Sequence, residues 1–135
     1  MRLEVTRRSE LAVRSLVVLD AATERLKAPA LAAALDATVA FIPQVMGPLV
    51  KAGWVQSDPG PAGGYTLDVS LDDVSVLDVV EAVDGKIDDG RCVVAARPCT
   101  AAAPCLMHLA WSNARTELIG ALDGMSVAAL RPAAE

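Results

Sequence analysis

The stretch Trp54-Val55-Gln56-Ser57, Asp58-Pro59-Gly60-Pro61-Ala62-Gly63-Gly64, Tyr65-Thr66-Leu67 decides how the rest of the chain is read. Two short strand-like runs flank a Pro/Gly cluster, which marks a hairpin with a long loop. Alone, such a hairpin is an ordinary surface feature. What precedes it changes its meaning. Residues 39–52 form an apolar helical segment closed by Gly53, a residue suited to the left-handed cap that ends helices. Before that, Asp36-Ala37-Thr38 reads as a turn, and residues 29–35 as a short Ala/Leu helix opened by Pro29. Helix, tight turn, helix is the outline of a helix-turn-helix, and a hairpin directly after it is a wing.

Working outward, residues 7–24 predict a first helix, with Leu11, Ala12, Leu16 and Leu19 at helical spacing. Pro43 and Pro48 complicate the third helix. Pro43 is tolerated in a first turn. Pro48 removes an interior backbone bond at a cost of ~3 kcal/mol, which predicts a kink or break near Gly47-Pro48. Beyond the wing, residues 76–84 predict a short helix carrying Val76, Leu77, Val79, Val80 and Val83. Residues 84–103 lack periodicity and read as a loop of a length that is usually functional or disordered. Pro104 then opens a last helix to about Leu122, with Met107, Trp111, Ala114 and Leu118 on one stripe. An apolar helix at the end of a small chain buries itself on its own domain or against its symmetry mate in a two-fold dimer.

The chain has 135 residues, 53% of them hydrophobic but only 3% aromatic, so Leu, Val and Ala must fill the core. No apolar run reaches the ~18 residues that span a bilayer, and the chain opens on charged residues. A soluble, cytoplasmic protein with no membrane partner is expected. The net charge is −5, unevenly distributed. Residues 1–55 carry a net +2, through Arg2, Arg7, Arg8, Arg14, Arg25, Lys27 and Lys51 against five acids, and residues 56–135 a net −7. That asymmetry is compatible with DNA contact by the first half, and equally with an ordinary solvated surface.

Three cysteines lie within 14 residues, in the pattern Cys92-x6-Cys99-x5-Cys105-x2-His108, and His108 is the single histidine. An odd, clustered set in a cytoplasmic chain suggests metal or redox chemistry more than a disulfide framework. Thiolates suit iron–sulfur clusters, zinc or copper(I). If Cys105 and His108 both stand on the last helix, their three-residue spacing puts them on one face. Three thiolates fall one short of the usual four ligands, leaving His108 or a carboxylate such as Glu10 to complete the set. Zinc would accept Cys3His, but no tight Cys-x2–4-Cys hook is present.

Taken together, the segments Leu49-Val50-Lys51-Ala52-Gly53-Trp54-Val55 and Gly60-Pro61-Ala62-Gly63-Gly64-Tyr65-Thr66-Leu67, the helix Asp78-Val79-Val80-Glu81-Ala82-Val83-Asp84-Gly85, the ordered cysteines, and Cys105-Leu106-Met107-His108 with Trp111 resemble the iron–sulfur winged-helix regulators typified by IscR, NsrR and RirA. The likeness covers about residues 1–130, including the Met1-Arg2-Leu3 opening, and the Cys-Leu-x-His segment is most similar to the IscR branch. The resemblance implies a mainly α fold with a small β-wing: a winged helix-turn-helix plus a long C-terminal dimerisation helix. It divides the chain into a DNA-binding domain at 1–85, a cluster-binding loop at 86–104, and a dimerisation helix with tail at 105–135. It implies a homodimeric repressor on a palindromic double-stranded DNA operator. Its 2Fe–2S cluster would sit on Cys92, Cys99, Cys105 and His108 and respond to nitric oxide, oxidants or iron status. Glu10 matches an acidic ligand that some relatives donate across the dimer to a 4Fe–4S cluster, which keeps that cluster type open.

Where such wings often carry arginine, this chain has Asp58-Pro59. Thr38 and Gln44 are the candidate base readers, glutamine being suited to adenine edges. Phosphate contacts fall to Arg2, Arg7, Arg8, Lys51, helix N-termini and the wing around Gly60, Gly63, Gly64 and Tyr65. Weaker, less salt-sensitive binding than in a basic relative is expected. The alternative is a metal- or cluster-binding carrier or interaction module on the same fold, without specific DNA binding. No nucleophile–base pair, phosphate-cradling loop or paired-carboxylate site points to an enzyme.

Overall fold

A computed structural model of the chain describes residues 3–94, 99 and 102–133. Arg2, expected to touch phosphate, lies outside them, as do residues 95–98, 100 and 101 of the expected cluster loop. Five α-helices and one two-stranded antiparallel sheet are present among the described residues: α1 (Arg7–Ala21), α2 (Ala28–Leu35), α3 (Ile42–Lys51), β1 (Val55–Asp58), β2 (Gly64–Leu67), α4 (Val76–Asp84) and α5 (His108–Asp123). This is the winged helix-turn-helix with a long last helix that the sequence predicts.

The core is aliphatic. Leu11, Ala12, Leu16 and Leu19 of α1 meet Leu31, Ala32 and Leu35 of α2, Ile42, Val45, Met46 and Leu49 of α3, and Val79 and Val83 of α4. Each fully buried leucine contributes about 1.5–3 kcal/mol relative to exposure. Thr6 caps α1 by accepting from the Ser9 N–H at 3.1 Å. Ser75 and Asp78 close a reciprocal capping box on α4, each side chain accepting the other's backbone N–H at 2.9 Å.

The element boundaries differ from expectation in several places. The first helix ends at Ala21 rather than 24, because the chain must straighten for Leu26 to pair with β2: Leu26 donates to Tyr65 O at 3.1 Å and accepts from Tyr65 N–H at 2.8 Å. The segment expected as one helix over 39–52 is a 3-10 turn, Val39–Phe41, followed by α3. Pro48 does not break α3, which continues as helix to Lys51. Its missing N–H would have met the carbonyl of Gln44, an exposed residue to which water has access, while Val45, Met46 and Leu49 lock the opposite face into the core. The hairpin sits one residue off at each side of its loop, with Val55 opposite Leu67 and Asp58 opposite Gly64.

The last helix starts at His108, not Pro104. The Cys105 N–H is drawn out of helical register by Cys99 Sγ, at 3.3 Å, and residues 105–108 form a single turn closed by His108 N–H to Cys105 O at 3.1 Å. No residue of α5 is buried in one chain, and Leu106 and Leu109 stand 102% and 71% exposed. After α5 the chain returns to the core. Val76 donates to Met125 O at 2.9 Å, Val127 donates to Val74 O at 2.8 Å, and the Val127 side chain is fully buried. No single helix among the described residues is long and apolar enough to cross a membrane.

Candidate metal centre and nucleic-acid interface

The cysteines converge. The sulfurs of Cys92, Cys99 and Cys105 lie within 4.8 Å of one another, with Cys92 Sγ 3.5 Å from Cys105 Sγ. His108 meets one corner of this triangle, its Nδ1 3.3 Å from Cys99 Sγ. The approach of Cys105 and His108 comes from the turn before α5, not from a shared helix face as their spacing suggested, since only His108 is helical. A cavity of about 220 Å³ opens beside the thiols, lined also by Arg91, Trp111 and Arg115. Arg115 Nη1 lies 3.4 Å from Asp88 Oδ1 at its edge.

The thiols are electrostatically unequal. The Val94 N–H lowers the Cys92 pKa, but partial desolvation and the neighbouring Cys105 and Cys99 sulfurs together leave it above the ordinary thiol value. Desolvation raises Cys105, yet hydrogen bonds from Cys92, the Met107 N–H, Cys99 and the His108 N–H carry it below that value. Three soft donors and an imidazole nitrogen facing one small volume form a donor set that suits an iron–sulfur cluster or zinc. Glu10 is not brought to this group within one chain; it is exposed on α1, 3.5 Å from Arg14 Nη1.

The described residues expected to meet DNA fall into four sets. Arg7 and Thr38 come together: Arg7 Nη2 donates to Asp36 O at 3.2 Å, and both residues line a shallow depression ahead of the 3-10 turn. Gln44 and Lys51 are exposed on the outward face of α3, with Pro43, Gly47 and Val50 around them. Arg8 is drawn the other way, its Nη2 donating at 2.6 Å to Val83 O in the α1–α4 junction. In the wing, Gly60 is exposed and has φ +92°. Gly63 is buried, and Gly64, at φ +140°, sits where a Cβ would be 2.9 Å from Leu26 O. Both glycines let the backbone pack closely, and Tyr65 is half-buried between β1 and Leu26.

Two cations that the sequence reading did not single out also lie at the wing. Lys27 Nζ donates to Pro61 O, and Arg25 Nη1 donates to Ala62 O at 3.4 Å. The sequence signal was present in the basic first half, but only the backbone pairing of Leu26 with Tyr65 places these side chains at the wing.

The model of the Rrf2 family, described as iron-dependent transcriptional regulators, matches residues 5–132. The HTH-type transcriptional regulator IscR of Aliivibrio salmonicida is 33% identical over 93 residues, covering 69% of this chain and 55% of the relative. The chain thus spans about half the length of that relative. Among solved structures, CymR, the global cysteine regulator of B. subtilis, superposes with a TM-score of 0.75 at 19% identity, covering 96% of each chain. IscR of T. potens superposes with a TM-score of 0.70 at 20% identity, covering 95% of this chain and 85% of that one. These structures share the winged-helix fold, and the relatives named are transcriptional regulators rather than enzymes. With the family model spanning nearly all of its length, the chain belongs to the Rrf2 family of transcriptional regulators.

Proposed function

We propose that the chain is a dimeric DNA-binding repressor whose operator binding responds to an iron–sulfur cluster held by Cys92, Cys99, Cys105 and His108. The observation that carries this is the convergence of three sulfurs within 4.8 Å at the foot of α5, with an imidazole nitrogen at one of them. When bound, a 2Fe–2S cluster supplies a redox-active, chemically labile centre open to oxidants, nitric oxide or iron supply. Residues 1–85 would then read a palindromic operator in a cytoplasmic setting, 86–104 hold the cluster, and 105–135 dimerise. The exposed apolar side chains of α5, with Leu109 71% exposed, support pairing with a second copy. Glu10 of a partner subunit is the candidate ligand if the cluster is 4Fe–4S.

A contiguous set of contacts supports coupling between the thiols and the DNA-facing turn. The cluster loop leaves α4 just after Asp84, whose carboxylate accepts from Thr6 Oγ1 at 2.8 Å and Ser9 Oγ at 2.6 Å at the start of α1. Arg7, in that same turn of α1, reaches Asp36 O beside Thr38. Thr38 and Gln44 are assigned to base contact, and Arg2, Arg7, Lys51 and the exposed wing backbone at Gly60 to phosphate; Gly63, Gly64 and Tyr65 are assigned there only on rearrangement, since Gly63 is buried and the Gly63 and Tyr65 N–H groups already donate to Gly60 O and Leu26 O. Arg8 has its guanidinium engaged with Val83 O and is assigned there only on rearrangement.

The test is anaerobic purification with an absorption spectrum and iron and sulfide counts, repeated for Cys92→Ala and His108→Ala, followed by gel shift on the gene's own upstream DNA. Roughly two irons per chain, lost in both variants, together with a shift that depends on cluster state, are expected. Roughly four irons that survive His108→Ala would move the assignment to 4Fe–4S and Glu10. Zinc alone, or no metal after reconstitution, would remove the sensor function. A loaded cluster without any gel shift would favour a carrier, a role consistent with the sparse polar groups on the outward face of α3.

A further inference from the structure

The wing loop supplies no cation of its own: Asp58-Pro59-Gly60-Pro61-Ala62-Gly63-Gly64 contains one acid and no base. The structure brings two cations to it from elsewhere in the chain. Leu26 pairs with Tyr65 through two backbone hydrogen bonds, which makes residues 25–27 a short extended edge on β2. Positions i and i+2 of an extended segment share a side. Arg25 and Lys27 accordingly reach the same wing loop, at the carbonyls of Ala62 and Pro61. Arg25 Nη2 also lies 3.6 Å from Asp58 Oδ2, and its side chain remains 52% exposed. An exposed pair of that kind contributes little stability, so a phosphate can compete for the guanidinium.

We propose that Arg25 and Lys27 are the phosphate-contacting cations of the wing, and that Asp58 restrains Arg25 until DNA displaces it. This rests on the DNA-binding function proposed above and adds the residues that give the wing its affinity. The recognised chemistry is the backbone of a DNA duplex, independent of base sequence.

The test is fluorescence anisotropy over a salt series. It uses the cluster-loaded full chain and two labelled duplexes, the gene's own upstream DNA and a mixed-sequence control. Each neutralised phosphate contributes a slope of about −0.9 in log K against log salt. Each substitution removes two cations from the proposed dimer, so Arg25→Ala and Lys27→Ala should each make the slope shallower by about 1.8 on both duplexes, removing a roughly 12-fold loss per fourfold rise in salt. Arg25→Lys should retain the slope. Asp58→Asn should tighten binding, and that gain should vanish when Arg25 is alanine. Affinity loss with an unchanged slope would show that the two side chains only hold the wing's shape, and would overturn the proposal. So would an Asp58→Asn gain that persists without Arg25. If the unmodified protein binds neither duplex, the DNA-binding function itself fails and the wing assignment falls with it. Urea midpoints of each variant separate these outcomes from misfolding.

Discussion

Replacing Gly63 by alanine would place a methyl carbon 1.9 Å from the Asp58 carbonyl oxygen and 2.7 Å from that of Pro59. Ordinary contact begins near 3.4 Å, so the loop must open by about 1.5 Å. Both obstacles are backbone atoms, so no side-chain rotation relieves the clash. Opening sacrifices the Gly63 N–H to Gly60 O bond, at 3.0 Å, and loosens the Asp58–Gly64 pair that closes the hairpin. Two or three hydrogen bonds at ~0.5–1.5 kcal/mol each, plus residual overpacking, give a loss of about 2–3 kcal/mol. Gly60→Ala is the control. Gly60 has open space around it and φ +92°, so alanine there meets only the left-handed backbone cost of about 1 kcal/mol. Equilibrium urea unfolding at fixed protein concentration, followed by circular dichroism, measures both. Amide hydrogen exchange at residues 55–67 should show the Gly63 damage confined to the hairpin. A Gly63→Ala loss no larger than that of Gly60→Ala would refute the steric account of the wing.

In the same assay, Gly47→Ala should stabilise the chain by less than the roughly 1 kcal/mol that alanine usually gains over glycine in a helix, because the ring of Pro48 crowds a Cβ on the helical residue before it. The same variant should weaken operator binding if the outward face of α3 enters a groove, which a gel shift reads. Leu109→Glu should lower the mass measured by light scattering from dimer to monomer while leaving the circular dichroism spectrum unchanged, because the side chain is 71% exposed in one chain. In metal-free, reduced protein, Cys105 should be alkylated at lower pH than Cys92, the thiolate being the reactive form and Cys105 the thiol with the lowered pKa. Mass spectrometry of iodoacetamide-treated samples across a pH series checks that order.

The winged helix was legible because its signals are local. Pro29 stands in the first turn of α2, Gly53 follows α3, and the Pro/Gly run between Asp58 and Gly64 is the hairpin loop. The break that Pro48 suggested is absent because the tertiary packing of Val45, Met46 and Leu49 holds the helix together, a contribution that the local cost leaves out. The cysteine site was legible as a set, but its geometry was not. Pro104 looked like a helix start, whereas the Cys99 sulfur takes the Cys105 N–H and delays the helix to His108. Arg25 and Lys27 stayed hidden for a different reason. Their meaning depends on a pairing between residues 26 and 65, and a charge count along the sequence carries no trace of that contact.

The way the chain comes back after α5 has a mechanical consequence. Residues 85–124 depart from the C-terminal end of α4, at Gly85, and rejoin at its N-terminal end, where Met125 O accepts from Val76 and Ser126 pairs with Ser75. The thiol-bearing excursion is therefore a bucket handle with both feet on one nine-residue helix about 13 Å long. Between the feet, α5 also packs along α4, so the excursion is seated on that helix at both ends and in between. A pull or twist generated at the sulfurs reaches α4 at both ends together. α4 in turn packs against α1 and α3, so the load would pass to the helices that carry Arg7, Gln44 and Lys51.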